Sequence, residues 1–253
     1  MKIKKYLADV VTAANSMNNV SAQLTAIGYS FEFREIQMIK LVSGDEFDYS
    51  PKLLDKFDWG LIKVDFCMPN FPDSSDNGYF LFDKGGKVNN RSANSCSDVY
   101  AGPFAFSEEE SFALKTFILN NKDNITAYLT DHSYGQMWLY PWGYTSALPA
   151  DWQELDSAAT VGTEALESLY GTPYLAGPTV KTLYSATGVS EDWAKGVANI
   201  KYSYTIELRD TGSFGFLLPQ DEIEPNCRES WKALGEFALA LAARERYKEI
   251  KDI

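Results

Sequence analysis

The sequence predicts an α/β fold, a mixed and mostly parallel sheet flanked by helices, in a single domain spanning residues 1–253. Segments with strand alternation and segments with helical spacing follow one another along the chain, the pattern of helices packed on a largely buried sheet. Hydrophobic residues make up 45% of the chain, enough for a substantial core, and aromatics at 14% argue against disorder. No internal repeat breaks the chain into smaller units.

The elements follow in order. Residues 1–19 begin basic, but Asp9 interrupts the apolar part and no small-residue cleavage site follows, so they read as an amphipathic helix and not a signal peptide. Phe31 to Val42 has alternating and apolar character, closes on Gly44, and reads as a strand. "SPKLLDKFDWGLIKVDF" predicts a short helix, with Pro51 near its start, running into a strand around Leu61–Phe66. Residues 67–98 are rich in Pro, Gly, Asn, Ser and Asp and read as loop. A loop of that length in a compact domain is functional, pinned by a disulfide, or damaged.

Ser107 with Glu110 has the spacing of a capping box and opens a helix through Asn121. Ile125, Ala127 and Leu129 alternate with Thr126, Tyr128 and Thr130, which predicts a strand. A helix from Asp151 stops at Gly171, "IKYSYTIELRD" is a further strand, and a long helix from Asn226 ends the chain.

Charge narrows the function classes. The net charge is −12 and no basic run appears, which excludes nucleic acid and anionic membrane as partners. No apolar stretch reaches transmembrane length. The three cysteines, Cys67, Cys96 and Cys227, permit one disulfide with one thiol left over, and no CxxC pair suggests a zinc knuckle. Sequons at Asn19, Asn90 and Asn124 weakly favour a secreted ancestry.

His132 is the only histidine. It stands at the carboxyl end of a strand, as does Glu207, and in open α/β sheets the ligand crevice lies beyond those ends. Taken alone, that placement fits a site, and fits better two strands that simply reach solvent there.

The segments "CSDVYAGPFAFSEEE", "HSYGQMWLYPWGY", "ESLYGTPYLAG", "LYSATGVSEDW", "IKYSYTIELRDTGSFGFLLP" and "SWKALGEF" occur in this order. Together they resemble the C-terminal half of the zinc metallocarboxypeptidases of the pancreatic A and B type. The likeness is continuous over 96–253, patchier over 1–66, and interrupted by the irregular loop at 67–95. It implies a carboxypeptidase-like fold, a zinc cofactor, peptide or protein C-termini as partners, a monomer and an extracellular setting. By this resemblance His132 corresponds to a zinc ligand and Glu207 to the general base that works on zinc-bound water. Tyr184 corresponds to a mobile tyrosine covering the bound terminal residue, and Arg209 to an arginine beside the substrate. Ser133 and Tyr134 correspond to cleft-lining residues. Glu191 corresponds to the position that sets terminal side-chain specificity, where an acid favours Lys or Arg. Cys96 matches a disulfide cysteine, for which Cys67 is the upstream candidate, and Cys227 is expected to be a buried free thiol. Read as single residues, Glu207 is also a strand-end acid beside Arg209, Tyr184 a core ring and Glu191 a helix-start acid.

The chain departs from the family pattern in two places. The H-x-x-E pair that supplies the other two zinc ligands belongs between Gly44 and Pro51, where only "DEFDYS" stands, and a core strand is expected to be missing with it. Arg91 is the one arginine in the loop where the substrate-clamping arginines belong, and its spacing from Cys96 does not match. A catalytic zinc ordinarily has three protein ligands, so zinc binding and hydrolysis by this chain are doubtful on the sequence. Three readings follow: a hydrolase lacking internal segments, a non-catalytic binder of peptide C-termini, or an enzyme with substitute ligands such as Asp45, Glu46 or Asp48.

Overall fold

A computed structural model describes residues 8, 11–12, 15–16, 20–30, 33–43 and 104–251. Strands β1 (Val20–Tyr29) and β2 (Glu35–Ser43) form an antiparallel hairpin. Helix α1 (Glu109–Asn121) follows, then β3 (Ala127–Ser133), β4 (Met137–Tyr140), α2 (Trp152–Tyr170) and β5 (Leu175–Pro178). The short helices α3 (Thr179–Thr182) and α4 (Ser190–Gly196) precede β6 (Tyr202–Leu208), and α5 (Gln220–Lys251) closes the described chain. The main sheet has the order β3-β6-β4-β5. Its β3–β6 and β4–β5 pairs are parallel and its β4–β6 pair antiparallel, so the sheet is mixed and mostly parallel as expected.

Burial of both sheet faces explains the composition of the strands, since such strands need apolar or hydrogen-bonded side chains on each side. One face of β6 sends Tyr202, Tyr204 and Ile206 into a core with Leu155, Ala158 and Leu166 of α2 and Phe237 and Leu241 of α5. Trp138, Tyr204 and Phe237 pack ring to ring there, with centroids 5.3 to 6.2 Å apart. The other face lies toward α1 and α4, where Tyr128 joins Leu114, Ile118, Trp193 and Ile200.

Several elements match the sequence reading, among them β3, β6 and α2, whose end at Gly171 takes the left-handed conformation (φ +71°) that glycine adopts freely. Others differ. The capping box at Ser107 does not form: Glu108 is the N-cap, and the Ser107 hydroxyl donates to the Glu108 carboxylate at 2.7 Å. Helix α5 begins before Asn226 and carries Pro225 inside it, although proline usually marks a first helical residue. Strands β1, β4 and β5 were not anticipated, because two of them have only four residues and β1 is built largely of small residues. Cys227 is free as expected but exposed rather than buried, since its position faces outward on α5. Most of the predicted 1–19 helix, the 51–66 helix and strand, the 67–98 loop, Cys67, Cys96 and the site of the missing core strand lie outside the described residues.

Gly162 lies where α2 crosses Trp138, and a Cβ built there would stand 2.3 Å from the indole. Gly162→Ala gains about 1 kcal/mol of helix propensity. Overpacking against a fully buried, rigid ring costs about 1–3 kcal/mol. The expected outcome is net destabilisation, read as a lower urea midpoint with an unchanged denaturant slope.

Candidate active site

The pairing of β3 with β6 builds the site. In the parallel register His132 is the partner of Glu207, so the two side chains leave the same sheet face side by side at the carboxyl ends of their strands. On the other side of Glu207 the register partner is Met137 of β4. The chain between β3 and β4 folds back over this end, with the N–H groups of Gly135 and Gln136 donating to the Leu208 carbonyl at 3.0 and 3.2 Å. A Cβ at Gly135 would crowd Met137 Cε at 2.7 Å and Glu207 Cβ at 3.2 Å, so a larger residue there presses on Glu207.

Beneath the pair, on the same face, the side chains are polar. Thr130, Ser203 and Thr205 are buried there, and α4 supplies Glu191 (2% exposed) and Asp192 (1% exposed). The Thr179 hydroxyl lies 3.0 Å from Glu191 Oε1 and 3.2 Å from the Tyr140 carbonyl. Burial raises the proton affinity of Glu191, and the hydroxyls of Thr205 and Thr179, which donate to its carboxyl, work against that rise. Asp192 accepts the N–H groups of Gly143 and Tyr144, and burial with the nearby Glu191 pushes its carboxyl up to about 8.

Glu207 is held in the same way. Burial first, and the charge of Glu191 second, push its carboxyl up to about 7, the range suited to a general base. Its Oε2 is buried without a hydrogen-bond partner among the described residues. His132 exposes one edge to solvent, yet the protein enclosing its inner side lowers its proton affinity and keeps the ring neutral.

The remaining predicted residues divide. Tyr184 lies between α3 and α4 with its ring 58% exposed. Tyr134 follows β3 and stacks edge to face on Phe216 at 5.1 Å, over the glycine turn after β6. Ser133 pairs with Leu208, so alternation turns its side chain to the sheet face opposite His132. Arg209 is engaged elsewhere: Nε donates to Glu229 Oε1 at 2.7 Å, Nη1 to Glu222 at 2.6 Å, and Nη2 to Thr172 at 2.7 Å and to Glu229 Oε2. Tyr174 donates to the same Glu229, which is fully buried. These contacts fix the guanidinium against α5, so the substrate role implied by resemblance is not carried forward for Arg209. The sequence reading missed Asp192, Thr179, Thr205 and Glu229; the doubled acid in "SEDW" was the one visible signal among them.

A family model described as zinc carboxypeptidase matches residues 69–233. The chain belongs to the zinc carboxypeptidase family. Carboxypeptidase B of Astacus astacus is 52% identical over 139 residues, covering 55% of this chain and 46% of that protein. Carboxypeptidase B of Rattus norvegicus is 48% identical over 143 residues, covering 56% of this chain and 34% of that protein. The chain thus spans less than half the length of these curated relatives. In fold it is similar to bovine thrombin-activatable fibrinolysis inhibitor, solved in complex with tick carboxypeptidase inhibitor, with a TM-score of 0.77 at 23% identity over 96% of each chain. Carboxypeptidase A from Helicoverpa armigera superposes with a TM-score of 0.72 at 22% identity, over 95% of this chain and 72% of that one.

Zinc is the metal that this family membership implies, and the described residues do not supply a complete site for it. His132 is the single imidazole of the chain. Among the described residues no three His, Cys, Asp or Glu side chains converge on one point. The unpartnered Glu207 oxygen is an acceptor that a cation or a substrate proton would satisfy, but one imidazole and one carboxylate do not complete a catalytic zinc site.

The raised carboxyl of Glu207 has a consequence for stability. Its folded value of about 7 lies above the ordinary 4.5, so the folded state binds the extra proton. That contribution is full below pH 4.5 and is lost as pH rises through about 7. It amounts to something on the order of 3 kcal/mol. Glu207→Gln is expected to flatten the fall in stability between about pH 5 and pH 8, measured by urea titration at each pH.

Proposed function

We propose that this chain recognises the C-termini of peptides, preferring terminal Lys or Arg, and by itself hydrolyses them slowly or not at all. The observation that supports this reading is the placement of Glu191 on α4, buried against Thr205 of β6, two positions before Glu207 on the face that carries His132, in a chain with no second histidine. A cationic side chain entering beside Glu191 meets a carboxyl that burial keeps short of charge. Binding ionises that carboxyl, releases a proton and forms a charge-assisted pair. Tyr184, exposed at the rim, covers the bound residue, and Tyr134 with Phe216 forms the apolar border. Glu207 keeps the proton affinity of a general base without the metal-bound water on which the full family site acts. The first relatives are named carboxypeptidase B, and the resemblance to that group is what supports a basic terminal residue and an extracellular setting.

The test is calorimetric titration of the chain with N-acylated dipeptides ending in Arg, Lys, Ala and argininamide, alongside metal analysis and a hydrolysis assay. The expected result is binding in the order Arg and Lys above Ala, none to the amide, and affinity that climbs with pH. Zinc well below one per chain and no turnover are expected with it. Glu191→Gln removes the charge pair and costs about 2 kcal/mol, roughly thirtyfold, for the Arg dipeptide alone. Stoichiometric zinc with turnover would show an active enzyme, and equal affinity for Arg and Ala would remove Glu191 from recognition.

A further inference from the structure

Two successive peptide units link one buried carboxylate to the segment that carries Tyr184. Asp192 accepts the N–H of Gly143 at 3.1 and 3.0 Å and the N–H of Tyr144 at 3.3 Å. The carbonyls of those same two units accept from the other side. Trp142 C=O takes the N–H of Val180 at 3.2 Å, and Gly143 C=O takes the N–H of Ala186 at 3.0 Å. Val180 and Ala186 flank Tyr184, one before it in the chain and one after.

We propose that Asp192 is a positioning residue for ligand closure, holding both flanks of the Tyr184 segment through the Trp142–Gly143 and Gly143–Tyr144 peptide units. Each unit donates to Asp192 and accepts from the segment, and hydrogen bonds chained through one peptide unit strengthen one another. The contact is close enough to transmit a change. A Cβ on Gly143 would stand 3.0 Å from the Ala186 carbonyl and 3.1 Å from Val189 Cγ2, so the turn and the segment touch where only a glycine fits. Gly188, at φ +81°, turns the segment back into α4 in a conformation that other residues resist. The exposed Tyr184 ring is not fixed by burial, so the backbone of its segment sets where the ring stands.

The inference rests on the reading of Tyr184 as the ring that covers a bound C-terminal residue, and the experiment separates the two. Asp192→Asn keeps the shape and one acceptor oxygen but replaces the other with an NH2 that cannot accept. Amide hydrogen exchange is followed at Val180 and Ala186 in the absence of ligand, and affinity is measured with an N-acylated Gly-Arg dipeptide. Exchange at both amides is expected to quicken about tenfold, and affinity to weaken about tenfold. In a Tyr184→Ala background, Asp192→Asn is expected to cause no further loss of affinity, a non-additivity that a general packing role would not produce. Unchanged exchange at both amides overturns the tether. Additive losses overturn its action through Tyr184. A wild-type chain that binds no dipeptide overturns the recognition reading, while the exchange measurement still decides the tether. If Asp192→Asn does not fold, Gly143→Ala enters the same contact from the other side. Faster exchange at Ala186 is expected there too, and unchanged exchange counts against the tether.

Discussion

The site depends on β6 and on its being paired along both edges. β3 runs parallel to it along its whole length on one side, and β4 pairs antiparallel with Thr205–Glu207 on the other, so the end that carries Glu207 is held on both edges. Parallel pairing in this register makes His132 and Glu207 neighbours, and a slip of one residue would send one of them to the aromatic core on the opposite face. That core resists the slip, because Tyr204 would lose its packing against Trp138 and Phe237. Hydrophobic packing on one face therefore fixes polar geometry on the other.

The two faces treat charge differently. Behind the sheet, Arg209 is matched by Glu222 and Glu229, with Thr172 and Tyr174 completing the hydrogen bonds, which is the condition under which a buried ion pair is tolerated. On the site face Glu191, Asp192 and Glu207 take part in no salt bridge among the described residues. Each holds its proton more tightly than usual because desolvation penalises the charged form, and for Asp192 and Glu207 the nearby Glu191 adds to the penalty. A surface with this arrangement favours the arrival of a cation and works against a second anion. It suits recognition of a basic side chain regardless of whether hydrolysis follows.

Family membership and the donor set of the described residues are separate matters in this chain. The chain has the fold of the zinc carboxypeptidases, and in it His132 and Glu207 stand side by side at two strand ends above a buried polar layer. The missing donors are a matter of sequence, since a chain with one histidine has no means of presenting two imidazoles to a metal. Folding and ligand donation draw on different residues: the sheet is held by apolar packing and backbone pairing, neither of which needs the metal ligands.

Much of this was legible in the chain alone. The α/β class, strands β3 and β6 and helix α2 showed in periodicity and in Gly171, because alternation and helical spacing are local properties. Glu207, His132, Glu191 and Tyr184 were legible through resemblance of the segments around them. Local spacing misled at Ser107, where a neighbouring acid took the hydroxyl, and at Pro225, where a long helix absorbed a proline near its start. Sequence determined that one imidazole exists and that the protein is acidic and rich in rings. Only the tertiary structure decided that Arg209 turns to Glu229 and that Asp192 reaches Gly143 and Tyr144. These contacts join residues 20 and 48 or more positions apart, and such pairings are set by how the sheet and helices pack rather than by any local pattern.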